Sequence, residues 1–293
     1  MRFNLLNTII LGAALFPAIV SAQGVPIGDS AKLIATGGVS QVEGAGGGGL
    51  SAWALISGYG SDRSIGANAH YTHVILPDYT LRSAGAAIGL FDRVEVSYAH
   101  SWFDTGDTGA ALGLGQGYTF EQDVVGVKVR LVGDAIYDQD KWLPQIAAGV
   151  QYKNTSDATV LAAVGARRDD DVDFYVAASK LFLGQSVLAN ATLRYTRANQ
   201  FGILGYGGDA NDDRSVQFEG SLVYLIRRNL AAGVEYRTKP DNLGFAAEND
   251  AFDIFGAWFI NKHVSLTAAY ADLGSIALQD NQRGAYLSLQ VGF

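Results

Sequence analysis

Polar and apolar residues alternate one for one along most of this chain, in stretches roughly ten residues long. Successive side chains on an extended backbone point to opposite faces, so the pattern demands strands rather than helices. In 93–104, Val94, Val96 and Tyr98 alternate with Arg93, Glu95 and Ser97. In 123–131, Val125, Val127, Val129 and Leu131 alternate with Gly126, Lys128 and Arg130. The same parity runs through 145–153, 186–196, 215–227 and 230–237, and ends on Ala285, Leu287, Leu289, Val291 and Phe293.

A soluble β-sandwich also alternates. Three features favour a membrane barrel instead. The segments have the ~9–11 residues needed to cross a bilayer at a tilt, against ~5–6 for a globular strand. Charge and glycine share the polar face at mid-strand. Connections alternate in length, short near 91–93, 183–185, 228–229 and 262–263, and long and polar at 105–117, 154–170, 199–212, 238–250 and 274–281. Short turns at one end and long loops at the other are the pattern of outer-membrane barrels. Tyr98, Tyr152, Tyr195, Tyr236 and Tyr270 lie on the apolar face towards the long-loop ends, where amphipathic rings favour a membrane–water boundary.

The expected fold class is therefore all-β, an antiparallel transmembrane β-barrel of about fourteen strands: 33–43, 50–60, 66–76, 80–91, 93–104, 118–132, 142–153, 171–183, 186–198, 213–228, 230–238, 250–262, 264–273 and 281–293. An even count sets both termini on the periplasmic side. If the Gly-rich 33–43 is a periplasmic or lumenal segment, the count becomes twelve. Segment 156–166 has the composition of a short helix within an outer loop. Before the strands, Arg2, the apolar run Leu5–Val20 and Ser21-Ala22 read as a secretory signal peptide cut after Ala22. The expected organisation is a signal peptide over 1–22 and a barrel over 23–293, with 23–49 partly a plug or periplasmic segment.

Composition narrows the function. Cysteine is zero, which removes disulfides, Cys-ligated metals and thiol nucleophiles. Acids outnumber bases, 29 Asp+Glu against 21 Lys+Arg, which argues against a nucleic-acid partner.

A terminal Phe293 on an alternating strand resembles the signal by which Gram-negative outer-membrane barrels are recognised by the barrel assembly machinery. The stretches Thr36–Leu50, Val124–Ala135, Pro144–Lys153, Thr192–Gly208, Glu235–Leu243 and His263–Gly274 resemble a proteobacterial outer-membrane family described as a domain of unknown function. The resemblance spans nearly the whole chain after residue 22. It implies a barrel in the cell outer membrane of a Gram-negative bacterium, and it brings no activity and no site residues.

Catalytic signals are missing. There is no Gly-x-Ser-x-Gly, no P-loop and no His-x-Ser-Asn-Gly stretch of an outer-membrane phospholipase. His70 and His73 fall on opposite faces of one strand and cannot readily share a metal. Asp209-x-Asn211-x-Asp213 begins like a calcium loop, but Arg214 and Gly220 stand where such a loop needs Gly and Glu. The expectation is no enzyme, no metal and no cofactor. By parity the lumen-facing residues are Arg93, Glu95, Lys128, Arg130, Lys153, Arg194, Glu219, Arg227, Glu235 and Arg237. Seven bases against three acids predict a wall of positive surplus and a channel with mild anion preference. The expected function is a porin-like channel for small solutes. The alternatives are a structural or adhesive barrel without conductance, and a transporter of hydrophobic compounds with an N-terminal hatch. Expected partners are outer-membrane lipid, lipopolysaccharide, the assembly machinery and small solutes.

Overall fold

A computed structural model describes residues 32–37 and 39–293. The signal peptide expected over 1–22 lies outside the described residues. Twelve strands form a closed antiparallel barrel. They are β1 (Ile65–Ile75), β2 (Thr80–Leu90), β3 (Val94–Asp104), β4 (Thr119–Val132), β5 (Gln145–Thr155), β7 (Asp170–Phe182), β8 (Val187–Thr196), β10 (Ser215–Arg227), β11 (Leu230–Arg237), β12 (Ala251–Phe259), β13 (Val264–Asp272) and β14 (Arg283–Gly292). Each pairs with the next barrel strand in the chain, and β14 closes onto β1 with Tyr71 opposite Leu289. The long loops add a two-stranded ribbon, β6 (Ala166–Arg168) with β9 (Tyr206–Gly208), and two short helices, α1 (Gly106–Ala111) and α2 (Ala158–Ala163).

Burial is inverted relative to a soluble sandwich. On β4, Val125 is 47% exposed while Lys128 is 1% exposed. Apolar side chains form the outer wall, and the polar side chains are the buried ones. That arrangement is stable only where the surroundings are apolar, because backbone groups paired in a closed ladder and an aliphatic exterior suit lipid rather than water. Tyr98, Tyr152, Tyr195, Tyr236 and Tyr270 are all exposed; the last four lie in the halves of their strands nearest the long loops, while Tyr98 sits at the middle of β3. Three of them donate to a nearby carboxylate: Tyr98 to Asp123 at 2.6 Å, Tyr152 to Asp170 at 3.0 Å, and Tyr236 to Asp250.

The strand count is twelve, the alternative of the sequence reading, and not fourteen. Segments 33–43 and 50–60 do not join the wall. Residues 40–48 and 50–60 are buried without alternation, so neither face could meet lipid. Instead this stretch folds inside the barrel in tight turns, with bridges between Ser40 and Gly46 and between Gly47 and Ala52.

Its path can be followed by its contacts. Lys32 pairs with Asp92 at the short-turn end, at 2.8 Å. Glu43 reaches the level of Arg237 on β11. The chain then returns to the short-turn end, where the Tyr59 amide donates to the Phe293 carbonyl at 2.7 Å before β1 begins. The glycine run is what lets it fit. Gly44 adopts φ +92°, and a Cβ on Gly48 would overlap the Glu235 carboxylate.

Candidate functional site: the barrel lumen

The inward faces of β3, β4, β5, β7, β8, β10, β11 and β12 carry charge at mid-strand, and that charge holds the inner segment. Of the ten side chains expected in the lumen, seven are buried there: Glu95, Lys128, Lys153, Arg194, Glu219, Glu235 and Arg237. The other three correct the expectation. Arg93 and Arg227 are exposed at the short-turn end, where the strands give way to turns and inside and outside no longer differ. Arg130 sits at the same rim, pairing with Asp92 and, at 3.0 Å, with Asp134.

Two ionic centres stand out. In the first, Lys128 and Glu95 face each other across β3 and β4 at 3.0 Å. Glu95 also accepts from the amides of Gly46 at 2.9 Å and Ser57 at 2.8 Å. Lys128 donates to the carbonyls of Gly46 at 3.0 Å and Trp53 at 3.1 Å. The pair grips two turns of the inner segment at once.

In the second, three cations meet three carboxylates. Lys153 contacts Glu43 and lies 2.8 Å from Asp173. Arg194 joins Glu219 and lies 3.4 Å from Asp173. Arg237 lies 2.8 Å from Glu43 and 3.4 Å from Glu219. Charged groups this deeply buried are tolerated because each is paired and hydrogen-bonded.

Elsewhere the wall binds the segment's backbone. The Leu50 amide donates to Glu235 at 2.8 Å, the Ala52 amide to Glu219 at 2.9 Å, and the Ala54 amide to Ser179 Oγ at 2.9 Å. Thr192 and Gln145 donate to the carbonyls of Ala52 and Ala54, both at 2.6 Å.

Sequence reasoning missed Asp173, Asp253 and Glu43. The first two were legible, since Asp173 precedes outward Phe174 and Asp253 lies between outward Phe252 and Ile254. Glu43 was not, because it was assigned to a wall strand. With these included, the middle of the wall carries four bases (Lys128, Lys153, Arg194, Arg237) and five acids (Glu95, Asp173, Glu219, Glu235, Asp253). The expected positive surplus is not there.

Little space is left. Beside the inner segment, under Trp53, Leu188, Val223 and Phe255, is a cavity of about 30 Å³. That is water-sized room, far below what a solute requires.

The long-loop mouth is also covered. The loop after β8 turns inward, with Gln200 and Phe201 in left-handed conformations at φ 45° and 62°. It buries Phe201, Ile203 and Leu204 against Leu243, Leu273 and Ile276. A polar latch holds it. Lys239 donates to Gln200 Oε1 at 2.7 Å, Glu248 accepts from the Gln200 amide at 2.6 Å, and the two charges lie 3.5 Å apart.

Burial pushes the Glu248 carboxyl up to about 7, and nearby Lys239 only partly offsets it. Its value in the opened loop is that of an ordinary carboxyl. The closed loop therefore holds a proton that the open loop releases, and closure weakens as pH rises from about 4.5 to about 7. Protease cleavage within 199–205 should accelerate over that range, and Glu248→Gln should remove the pH dependence. A profile unchanged in Glu248→Gln would refute the latch.

The side chains of the rejected calcium loop serve neighbouring amides: Asp209 accepts from Gly244 at 2.8 Å and Asn211 from Asp213 at 3.1 Å.

Two solved structures share the fold. The "KdgM porin" is 9% identical, with a TM-score of 0.50, covering 77% of this chain and 99% of its own. The "KdgM porin in complex with disordered oligogalacturonate" is 10% identical, with a TM-score of 0.52 and the same coverages. The likeness is one of fold, a closed β-barrel, and extends no further. No curated protein matches the sequence. The family model described as "Protein of unknown function (DUF3034)" matches residues 36–290, nearly every described residue of barrel and inner segment alike, and the chain accordingly belongs to the DUF3034 family.

Proposed function

We propose that this protein is a channel of the Gram-negative outer membrane that rests closed, with residues 39–60 as its removable gate. The observation that carries this reading is how the segment is held. Wall side chains bind mainly its backbone amides and carbonyls, and water can replace each such partner in an open state. The net cost of exchanging a hydrogen bond for water is only about 0.5–1.5 kcal/mol, somewhat more where a charge takes part. An aliphatic outer wall, an exposed tyrosine ring and a polar interior support the membrane placement.

The solutes are small and polar in this reading. An anion preference finds no support in a wall of four bases and five acids, and the open pore is proposed to be close to charge-neutral in selectivity. The protein should fractionate with the outer membrane and migrate differently on gels before and after heating; recovery as a soluble periplasmic protein would falsify this placement. The decisive test of the gate is planar-bilayer conductance with the segment cross-linked to the wall.

Phe293 takes the role of closing strand and assembly signal. Its amide donates to the Ala67 carbonyl at 2.8 Å, sealing β14 to β1, and its exposed ring lies 5.4 Å from that of His263. Deleting Phe293 is expected to reduce barrel insertion while leaving export intact. Wild-type levels of folded barrel in the deletion would count against that role.

A further inference from the structure

We propose that the outer face of β1–β3, near the long-loop rim, binds the phosphate of an anionic membrane lipid, with Arg82 as the principal ligand and His73 and Trp102 beside it. The proposal rests on the membrane placement argued above. On β2 the inward residues Leu81, Ser83, Ala87 and Gly89 are buried, and Arg82 points out and is exposed. Register sets Arg82 opposite His73 on β1 and opposite Trp102 on β3. Both neighbours share its outward parity, so the three side chains form a row across adjacent strands, spaced about 4.8 Å apart.

Among the described residues, the long-loop half of the outer wall has two exposed arginines, Arg82 and Arg283. Arg283 is neutralised by Asp272 at 2.6 Å. Arg82 has no hydrogen bond or ion pair among the described residues, and neither has His73. The acids nearby are committed. Asp123 takes the Tyr98 hydroxyl and His100, Asp104 takes the Gly106 amide at 2.8 Å, and Asp78 takes Gln282 at 2.7 Å. Glu121 lies one strand further on, opposite Trp102 and 4.0 Å from His100.

A lipid-facing arginine is costly unless it sits at headgroup depth with a counter-charge. Arg82 is the third residue of β2, so it lies just below the rim. The connection above it, 76–79, is the shortest at that end, so no long loop shields the site from headgroups. Below it, exposed Tyr71, Ile88 and Val96 continue the row as an acyl-chain surface. The counter-charge that fits is a phosphate. The guanidinium fork takes two of its oxygens, the His73 ring can donate to a third, and Trp102 is a residue type favoured at the interface. A headgroup anchored by its acyl chains on the adjoining apolar wall is the phosphate source that reaches this position.

The experiment titrates folded barrel in maltoside micelles with lipid A and with dephosphorylated lipid A, reading bound lipid by native mass spectrometry. Wild type should prefer the phosphorylated lipid. Arg82→Glu should lose at least about tenfold in that affinity, close to the worth of one charge-assisted bidentate contact. Arg82→Lys should lose less, and Arg93→Glu at the opposite rim should lose nothing. Equal binding of the two lipids, or undiminished binding by Arg82→Glu, would overturn the proposal. So would competition by inorganic phosphate at the same concentration as the lipid, which would mark a free-anion site. Heat-modifiable migration of each variant confirms that the barrel is folded; if wild type itself fails that test, the membrane placement falls and not the ligand assignment alone.

Discussion

Barrel carrying Ala54→Cys and Ser179→Cys should be silent in a planar bilayer while oxidised and should show channel openings once reduced. The Ala54 amide lies 2.9 Å from Ser179 Oγ, so the two residues touch where the segment meets the wall. The natural chain has no cysteine, so the introduced pair has no competing thiols. The lock leaves the wall intact and fixes the middle of the inner segment. Excision of 39–60 should have the opposite result, a steady conductance in place of brief openings, because the side chains that held the segment then face water. An oxidised lock that conducts as well as wild type would mean that solute passes around the segment. A folded, excised barrel that never conducts would show instead a structural barrel whose outer surface, not its lumen, does the work.

The second large effect is expected at Lys153. This side chain is fully buried, touches Glu43, lies 2.8 Å from Asp173 and donates to the Phe201 carbonyl at 3.3 Å. It ties together the inner segment, two wall strands and the inward loop. Lys153→Met leaves three carboxylates facing two arginines in a deeply buried site, and removing one partner of a buried pair costs about 3–5 kcal/mol. The loss should appear as a lower denaturant midpoint and as more frequent openings in the bilayer, since Glu43 is the group the segment contributes. Adding Glu43→Gln restores the charge balance and should recover most of the stability. A loss below about 1 kcal/mol, or a double variant no better than the single one, would show that the two arginines alone neutralise the cluster.

The wall was legible from sequence because each of its strands has only one apolar face. The period-two rule located all twelve barrel strands, with ends within three residues of those observed. It also put Glu95, Lys128, Arg194 and Glu219 on the inner face, where the structure pairs Glu95 with Lys128 and Arg194 with Glu219. The rule failed at strand ends. Arg93 and Arg227 keep their parity but have left the lumen, since a turn has no inside.

It failed most where the chain lies within the barrel. Segments 33–43 and 50–60 are apolar and glycine-rich enough to pass for strands, yet residues 40–48 and 50–60 are buried within the ring of wall strands. Burial in lipid and burial in a lumen select similarly uncharged sequences, so composition cannot tell them apart. Glu43 is the residue that betrays the difference, and its meaning depends on Lys153, Arg194 and Arg237, which are distant in sequence.

By itself, then, the sequence determined the class of fold, the position of every wall strand, and which face of each points outward, because alternation is a local property with a single physical solution in a membrane. Only the tertiary structure decided the strand number, the filling of the lumen and the balance of its charge. Those depend on which of two apolar-compatible environments takes up the first thirty described residues. That choice is made by hydrogen bonds and ion pairs between residues more than a hundred positions apart, such as Glu43 with Lys153 and Leu50 with Glu235.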